Sequence, residues 1–274
     1  MPGVHIRPLQ RHDEFQACER IQENVWGAAG VGSEALAVTQ RYGGAVIGAF
    51  VGGRVAGFLY AFIGRRRGRL IHWSHLMAVA PEFRDLGLGF QMKLEHRRRA
   101  LAQGIRSICW TYDPLQSRNA ALNIARLGAA AEEYVADCYG RFPSLIEKGL
   151  PSDRFVVNWR IATRAVARRL GGGPPERPSL DLPRANETRL NAGGFLENSR
   201  ITLGLRDPRL LVEIPANTDV MRSQALRLAK RWRAETRRIF QRYFAAGFRV
   251  KDFVPPSRAE GRCFYVLRSR RRLG

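Results

Sequence analysis

The stretch Arg84-Asp85-Leu86-Gly87-Leu88-Gly89 constrains this chain more than any other, because two spaced glycines stand between a strand-like run, Leu70 to Val79, and a helix-like run, Phe90 to Gln103. Without a Cβ, glycine lets the main chain turn tightly and approach a ligand closely. The helix that follows leaves its first amides unpaired, with the positive end of its dipole at the same spot. A strand, an arginine, spaced glycines and a helix together form a cradle for a pyrophosphate. An ordinary helix start after a loop is the other reading of six such residues taken alone. A P-loop would need Gly-Lys-Ser/Thr after the glycines, and a dinucleotide fingerprint would need a third glycine and a later acid. Neither is present.

The spacing of Arg84, Gly87 and Gly89 resembles the R/Q-x-x-G-x-G/A motif of the GNAT acyltransferases, which hold the pyrophosphate of coenzyme A there. The order of elements is similar to that fold as well. Val4 to Pro8 reads as a strand and Asp13 to Trp26 as an amphipathic helix with Phe15, Cys18, Ile21 and Val25 at helical spacing. Ser33 is placed to cap a second helix running to Tyr42, ended by Gly43-Gly44. Ala45 to Phe50 and Val55 to Ile63 flank Gly52-Gly53, a hairpin signal. Leu70 to Val79 is a third long strand, Ile105 to Tyr112 another, and Ser117 to Leu127 a helix stopping at Gly128. The resemblance implies an α/β (α+β) fold with a mixed central sheet flanked by helices.

Gly171-Gly172-Gly173-Pro174-Pro175 and the prolines up to Pro183 read as a linker. The expected organisation is therefore a catalytic acyl-CoA-binding domain over 1–170, a linker over 171–185, and a smaller α/β region over 186–274. In that last region Leu210 to Ile214, Arg249 to Val254 and Cys263 to Leu267 are strand-like. Asp219 to Ala246 reads as one long helix, with Leu226, Ala229, Trp232, Thr236, Ile239, Phe240 and Tyr243 on a stripe and Arg227, Arg231, Arg238 and Arg242 on a solvated face. Tyr243 to Phe248 resembles the Y-x-x-x-G-F that ends the fourth helix of many GNAT domains, which implies a partial second GNAT half. A generic amphipathic helix ending at glycine is the other reading.

The 274 residues carry a net charge of +22, and 42 of the 46 basic residues are arginine. That excess suits steering of an anionic cofactor such as coenzyme A. The arginines are spread along the chain rather than gathered in one tract, so specific nucleic-acid binding is not expected. Cys18, Cys109, Cys138 and Cys263 form no Cys-x-x-Cys pair, which speaks against a zinc site or disulfide framework and fits a reducing cytoplasm. No apolar run is long enough to span a bilayer, so no membrane partner is expected.

Acyl transfer to an amine requires a held cofactor, a neutral amine, a donor for the oxyanion and a proton for the leaving thiolate. The resemblance assigns cofactor binding to Met77 and Val79 through their backbone, to Arg84, Leu86, Gly87, Leu88, Gly89 and Phe90 as the pyrophosphate loop, and to Asn119 after the fifth strand. A histidine four residues before the valine, here His75, is implied as the general base; imidazole suits that task near neutral pH. By strand parity His75 shares a face with Trp73 and Met77, with His72 opposite. A hydrogen-bonded core histidine is the other reading of His75. The family's usual tyrosine four residues before Gly128 is replaced by Ile124, so the thiolate's proton is expected from Tyr139, with Tyr134 the alternative. Both tyrosines also read as core aromatics on strands.

Trp110 to Ala120 and Ser152 to Phe155 look like signatures of a GNAT subfamily of predicted acyltransferases with an extra C-terminal region. Members of it tied to amino-acid racemisation are thought to acylate amino acids, succinyl-CoA being one donor. Trp110, Tyr112, Asp113 and Arg154 are the expected substrate contacts, Arg154 holding a carboxylate bidentately. For Asp113 and Arg154 a structural turn and an ion pair are the other reading. The expected activity is a CoA-dependent N-acyltransferase without a metal, using acetyl-CoA or another acyl-CoA and a small-molecule amine, in a chain that could form a homodimer. An acyl-CoA sensor without turnover and a basic nucleic-acid-associated protein are the alternatives.

Overall fold

The computed structural model describes residues 3–28, 30–140, 149–172, 178–256 and 261–269. Two compact units form. The first holds Met1–Trp110 with Arg160–Thr163, and the second holds most of the rest from Thr111 onward. The expected linker over 171–185 therefore falls inside the second unit, and its residues 173–177 lie outside the described ones.

In the first unit the order is β1 (Val4–Pro8), α1 (His12–Trp26), α2 (Ser33–Arg41), β2 (Ala45–Val51), β3 (Arg54–Arg66), β4 (Arg69–Val79), a 3₁₀ turn at Pro81–Phe83, α3 (Leu88–Ala102) and the start of β5 (Ile108–Tyr112). The strands lie side by side in the order β1-β2-β3-β4-β5. Antiparallel pairing joins β1 to β4, and β4 runs parallel to β5. Gly52 and Gly53 turn between β2 and β3 at φ 55° and 78°, the left-handed pair a two-residue hairpin needs. All seven residues of β2 are buried, because helices cover both sheet faces. One face packs Phe15, Cys18 and Ile21 of α1 and Leu36 of α2 on Val46, Phe58 and Tyr60. The other packs Leu88 and Met92 of α3 on Ile47, Ala49 and Leu59.

Polar side chains fix the α1 ends. Glu14 accepts from the amides of Gln10 and Arg11 and from both terminal nitrogens of Arg7. Gln22, buried, accepts from the amides of Gly30 and Val31 and donates to the Val31 carbonyl, holding the link to α2. Ser33 does not cap α2. It is the first helical residue, Gly32 holds the cap position, and the Ser33 amide goes to Glu19 Oε1. β5 starts three residues later than expected because the Ile105 amide closes α3 on the Ala100 carbonyl.

The second unit contains the end of β5, α4 (Ser117–Ala120), a π turn (Ala121–Arg126), β6 (Ala130–Val135), β7 (Arg154–Trp159), α5 (Arg164–Leu170), β8 (Asn186–Leu190), β9 (Leu196–Ile201), β10 (Arg209–Ile214), α6 (Thr218–Gln224), α7 (Leu226–Ala245), β11 (Phe248–Val254) and β12 (Cys263–Ser269). Its sheet runs β7-β6-β11-β12-β10 with antiparallel neighbours, and β8 and β9 form a separate hairpin.

Two departures from the sequence reading have clear causes. The expected helix from Asp219 breaks at Ala225, at φ −142° and ψ 57°. There α6 ends, after being tied down by its Asn217 cap and by the Thr218 hydroxyl on the Leu115 carbonyl. No glycine or proline marks that break. The β8–β9 hairpin was missed although Asn191 announces it: its side chain accepts from the amides of Gly193 and Phe195.

Candidate functional site

The site begins at an irregularity in β4. Along the β3 ladder Tyr60 faces Leu76 and Ala61 faces Ser74, so His75 is the extra residue of a β-bulge. A bulge advances one strand by a residue and so resets which side chains share a face. His75 therefore does not share a face with Met77, as parity predicted. Met77 and Val79 pack in the cluster under α3. His75 instead meets the rings of Tyr60 and Phe62, each with its centroid 6.0 Å away. Parity did place His72 correctly, on the opposite face, where it is buried and bonded to His96.

Pairing with β5 is lost beside the bulge. β4 is in register with β5 only at His72–Ile108 and Trp73–Cys109. From Ser74 to Val79 the strand continues with β3 on one side alone. Its outer main-chain groups thus face away from any strand among the described residues, and an extended, amide-bearing ligand can pair there as an added strand would.

That edge leads into the glycine loop. Asp85 and Gly87 both take left-handed conformations, at φ 66° and 71°. Gly87 is the N-cap of α3, no side chain caps the helix, and its first turn holds no acid. The amides of Phe90 and Gln91 go to the Gly87 carbonyl. Those of Leu88 and Gly89 precede them at the positive end of the dipole. A Cβ built on Gly87 would meet nothing within 4 Å, so the loop opens on free space there. Arg84 and Leu86 are exposed on the same loop.

His75 keeps an exposed edge, while the packing around its ring removes enough water to lower its pKa from the ordinary value of 6.5. The shift favours the neutral imidazole, the form able to accept a proton. Beneath β4, α3 sends Lys93 and His96 inward; both are fully buried. The sequence reading missed both, because a lysine and a histidine within a helix's core stripe look like surface residues.

The remaining expected site residues lie in the second unit, apart from Trp110, which is buried in the first. Tyr112 is buried and donates to Tyr265. Asp113 accepts from the Leu115 amide and forms a bidentate pair with Arg233 at 2.7 and 2.5 Å. Asn119 is exposed on α4, two residues before the π turn begins at Ala121. Tyr139 is 45% exposed and shares a 2.7 Å hydrogen bond with Thr111. The Arg154 guanidinium lies 5.3 Å from the Tyr139 ring centroid, and burial lowers its pKa. Tyr134, the alternative proton source, donates to Asp153 at 2.5 Å, and burial raises its pKa well above 10. Ile124 is fully buried in the π turn. Among the described residues no cluster of three or more His, Cys, Asp or Glu could hold a metal, and no helix is long and apolar enough to cross a membrane.

No family model matches the chain, and no curated protein matches it. Among solved structures it is similar to a GNAT-family acetyltransferase from Streptococcus pneumoniae, at 17% identity and a TM-score of 0.47 over 57% of this chain and 98% of that one. It is similar to the ribosomal-protein-S18-alanine N-acetyltransferase from Escherichia coli, at 16% identity and a TM-score of 0.48 over 59% and 96%. A third similar structure is Naa50 of Arabidopsis thaliana in complex with the bisubstrate analogue CoA-Ac-MVNAL, at 11% identity and a TM-score of 0.46 over 57% and 97%.

Proposed function

We propose that this protein is a CoA-dependent N-acyltransferase that moves an acetyl or succinyl group from acyl-CoA directly to the amine of a small molecule. The observation that carries the reading is the unpaired run of β4 between the His75 bulge and the glycine loop. In this reading the pyrophosphate rests on the amides at the α3 N-terminus. The pantetheine amides pair with the β4 edge around Met77 and Val79. The thioester then lies beside the bulge, where a β4 amide polarises its carbonyl and His75 accepts the proton of the attacking amine. The exposed Phe62 ring beside His75 is where an acceptor would lie.

A thermal-shift series with CoA, acetyl-CoA and succinyl-CoA tests the cradle. Ligand at a hundred times its Kd stabilises the fold by about 2.7 kcal/mol. The thioester giving the largest shift is then offered with amino acids and other amines while free thiol is followed. No shift with any thioester would overturn the reading. Binding without thiol release would favour an acyl-CoA sensor, the alternative that Ile124 supports by placing a buried aliphatic side chain where the family's tyrosine would stand.

A further inference from the structure

Ser74 and Trp110 are the first residues beyond the point where β4 and β5 cease to pair. Lys93 reaches both from α3. Its Nζ donates to Ser74 Oγ at 3.0 Å and lies 3.8 Å from the centroid of the Trp110 ring. Lys93 is 2% exposed and Ser74 5%. The chain has only four lysines, and one of them occupies this position in the core. The choice has chemical content. A guanidinium keeps its proton under all ordinary conditions, whereas a buried ammonium can release its own.

The neighbours of Lys93 can be assigned proton by proton. Gln103 Nε2 donates to the Gly43 carbonyl, which turns Gln103 Oε1 toward His72 Nε2 at 2.8 Å. His72 therefore carries its proton on Nε2 and accepts through Nδ1 from His96 Nε2, 2.9 Å away. His96 Nδ1 is left with a lone pair, buried and without a partner among the described residues. Burial, then the charges of Lys93, His72 and Arg99, keep His96 well below the ordinary histidine range. Burial likewise lowers His72. Both rings are thus neutral. Burial brings Lys93 down to about 7, and the Trp110 face favours its charged form. Lys93 is accordingly the group in this cluster that takes up and releases a proton near neutrality.

We propose that Lys93, acting through the Ser74 hydroxyl, holds the proton that the leaving thiolate of the acyl-CoA takes up. The inference rests on the acyltransferase reading. From Val79 back to Ser74 the strand covers about 16 Å, at roughly 3.3 Å per residue. An extended arm anchored at the glycine loop and laid along β4 thus brings its sulfur to the fork. As the amine nitrogen bonds to the acyl carbon, the carbon–sulfur bond breaks and its electron pair stays on sulfur. Ser74 Oγ–H gives its proton to the sulfur and is reprotonated from the Lys93 ammonium. The amine's proton passes to His75 and on to solvent, which reloads Lys93. The products are amide and free thiol, with no net gain or loss of protons. An ordinary thiol has a pKa of about 8.5, so the transfer from Lys93 runs downhill. Ser74 is the residue that meets the sulfur, and Lys93 positions and supplies the proton. This gives Lys93 the task that sequence reasoning gave Tyr139, whose hydroxyl is bonded to Thr111.

The small number of lysines makes a direct test practical. In protein labelled with ¹³C-lysine, one Cε resonance, identified by its loss in Lys93→Met, is expected to titrate near neutrality. A Lys93 midpoint at the ordinary lysine value overturns the proposal. In steady-state kinetics, kcat of the wild-type protein is expected to fall as pH rises through the Lys93 titration. Lys93→Met and Ser74→Ala are each expected to lose about 100-fold in kcat and to lack that alkaline limb, with CoA affinity within about threefold of wild type. Ser74→Ala carries the test if Lys93→Met does not fold. Variants that keep wild-type kcat and the limb overturn the proton route and leave the acyltransferase reading standing. Wild-type protein that binds no thioester overturns the reading and the route together.

Discussion

Arg233 of α7 holds Asp113 in a two-pronged ion pair, Nη1 to Oδ1 at 2.7 Å and Nη2 to Oδ2 at 2.5 Å, with the two side chains 3% and 13% exposed. Burial alone would push the Asp113 carboxyl up; the guanidinium beside it more than offsets this and keeps it below the ordinary carboxylate range. Removing one member of a buried pair strands the other charge, at a cost of about 3–5 kcal/mol. Arg233→Met is therefore expected to lose that much in urea denaturation. The double variant Arg233→Met with Asp113→Asn should recover part of the loss, because the stranded charge is gone. A loss below about 1 kcal/mol in the single variant would show that the pair is not buried in solution.

Acid stability should depend on Glu14. Its carboxylate, hydrogen-bonded first to Arg7 and then to the Gln10 and Arg11 amides, is held down to about 2 from an ordinary 4.5. A pKa lowered by folding contributes stability above the unfolded value and loses it as pH falls through the folded one. Wild-type Tm should therefore decline between pH 4.5 and about 2. Glu14→Gln should start lower at neutral pH and decline less over that window. Parallel curves for the two proteins would remove Glu14 from the account.

Much of the first unit was legible because local rules and global packing agree there. Gly52-Gly53 marks its hairpin, the α1 apolar spacing marks its buried face, and the glycine loop falls where a strand gives way to a helix. The His75 bulge was not legible. A bulge is set by how two strands pair, and no residue type in β4 announces it. Lys93 and His96 were missed for a related reason. Their burial depends on a hydrogen-bonded partner from β4, Ser74 or His72, and a polar residue reads as exposed until such partners are known. Arg233 sits on the predicted apolar stripe of α7 and went unnoticed because its justification, Asp113, lies 120 residues away.

Gly87→Asp separates folding from cofactor binding. A side chain at this position meets nothing within 4 Å, and aspartate tolerates the left-handed conformation better than most residues. It also stands at the uncapped N-terminus of α3, where an acid both caps and complements the dipole. The Tm of the apo protein should change by no more than a few degrees. A carboxylate in the cradle would repel a pyrophosphate, so CoA affinity should fall by at least tenfold in calorimetry. Unchanged affinity would mean that the pyrophosphate is bound elsewhere.

The His75 assignment can be tested by separating turnover from binding. His75 contacts the aromatic rings of Tyr60 and Phe62. His75→Ala should leave CoA affinity within a few-fold of wild type. If His75 is the base, kcat should drop by about 100-fold or more, the usual yield of a positioned acid or base. The pH profile gives a second, independent reading. Since burial lowers the His75 pKa, the deprotonated base is already formed below 6.5, and the acid limb of wild-type kcat should have its midpoint on the low side of that value. The limb should vanish in His75→Ala. An acid limb that persists there at the same midpoint would assign it to another group, and an amine acceptor bound with its own depressed pKa would then be the first to examine.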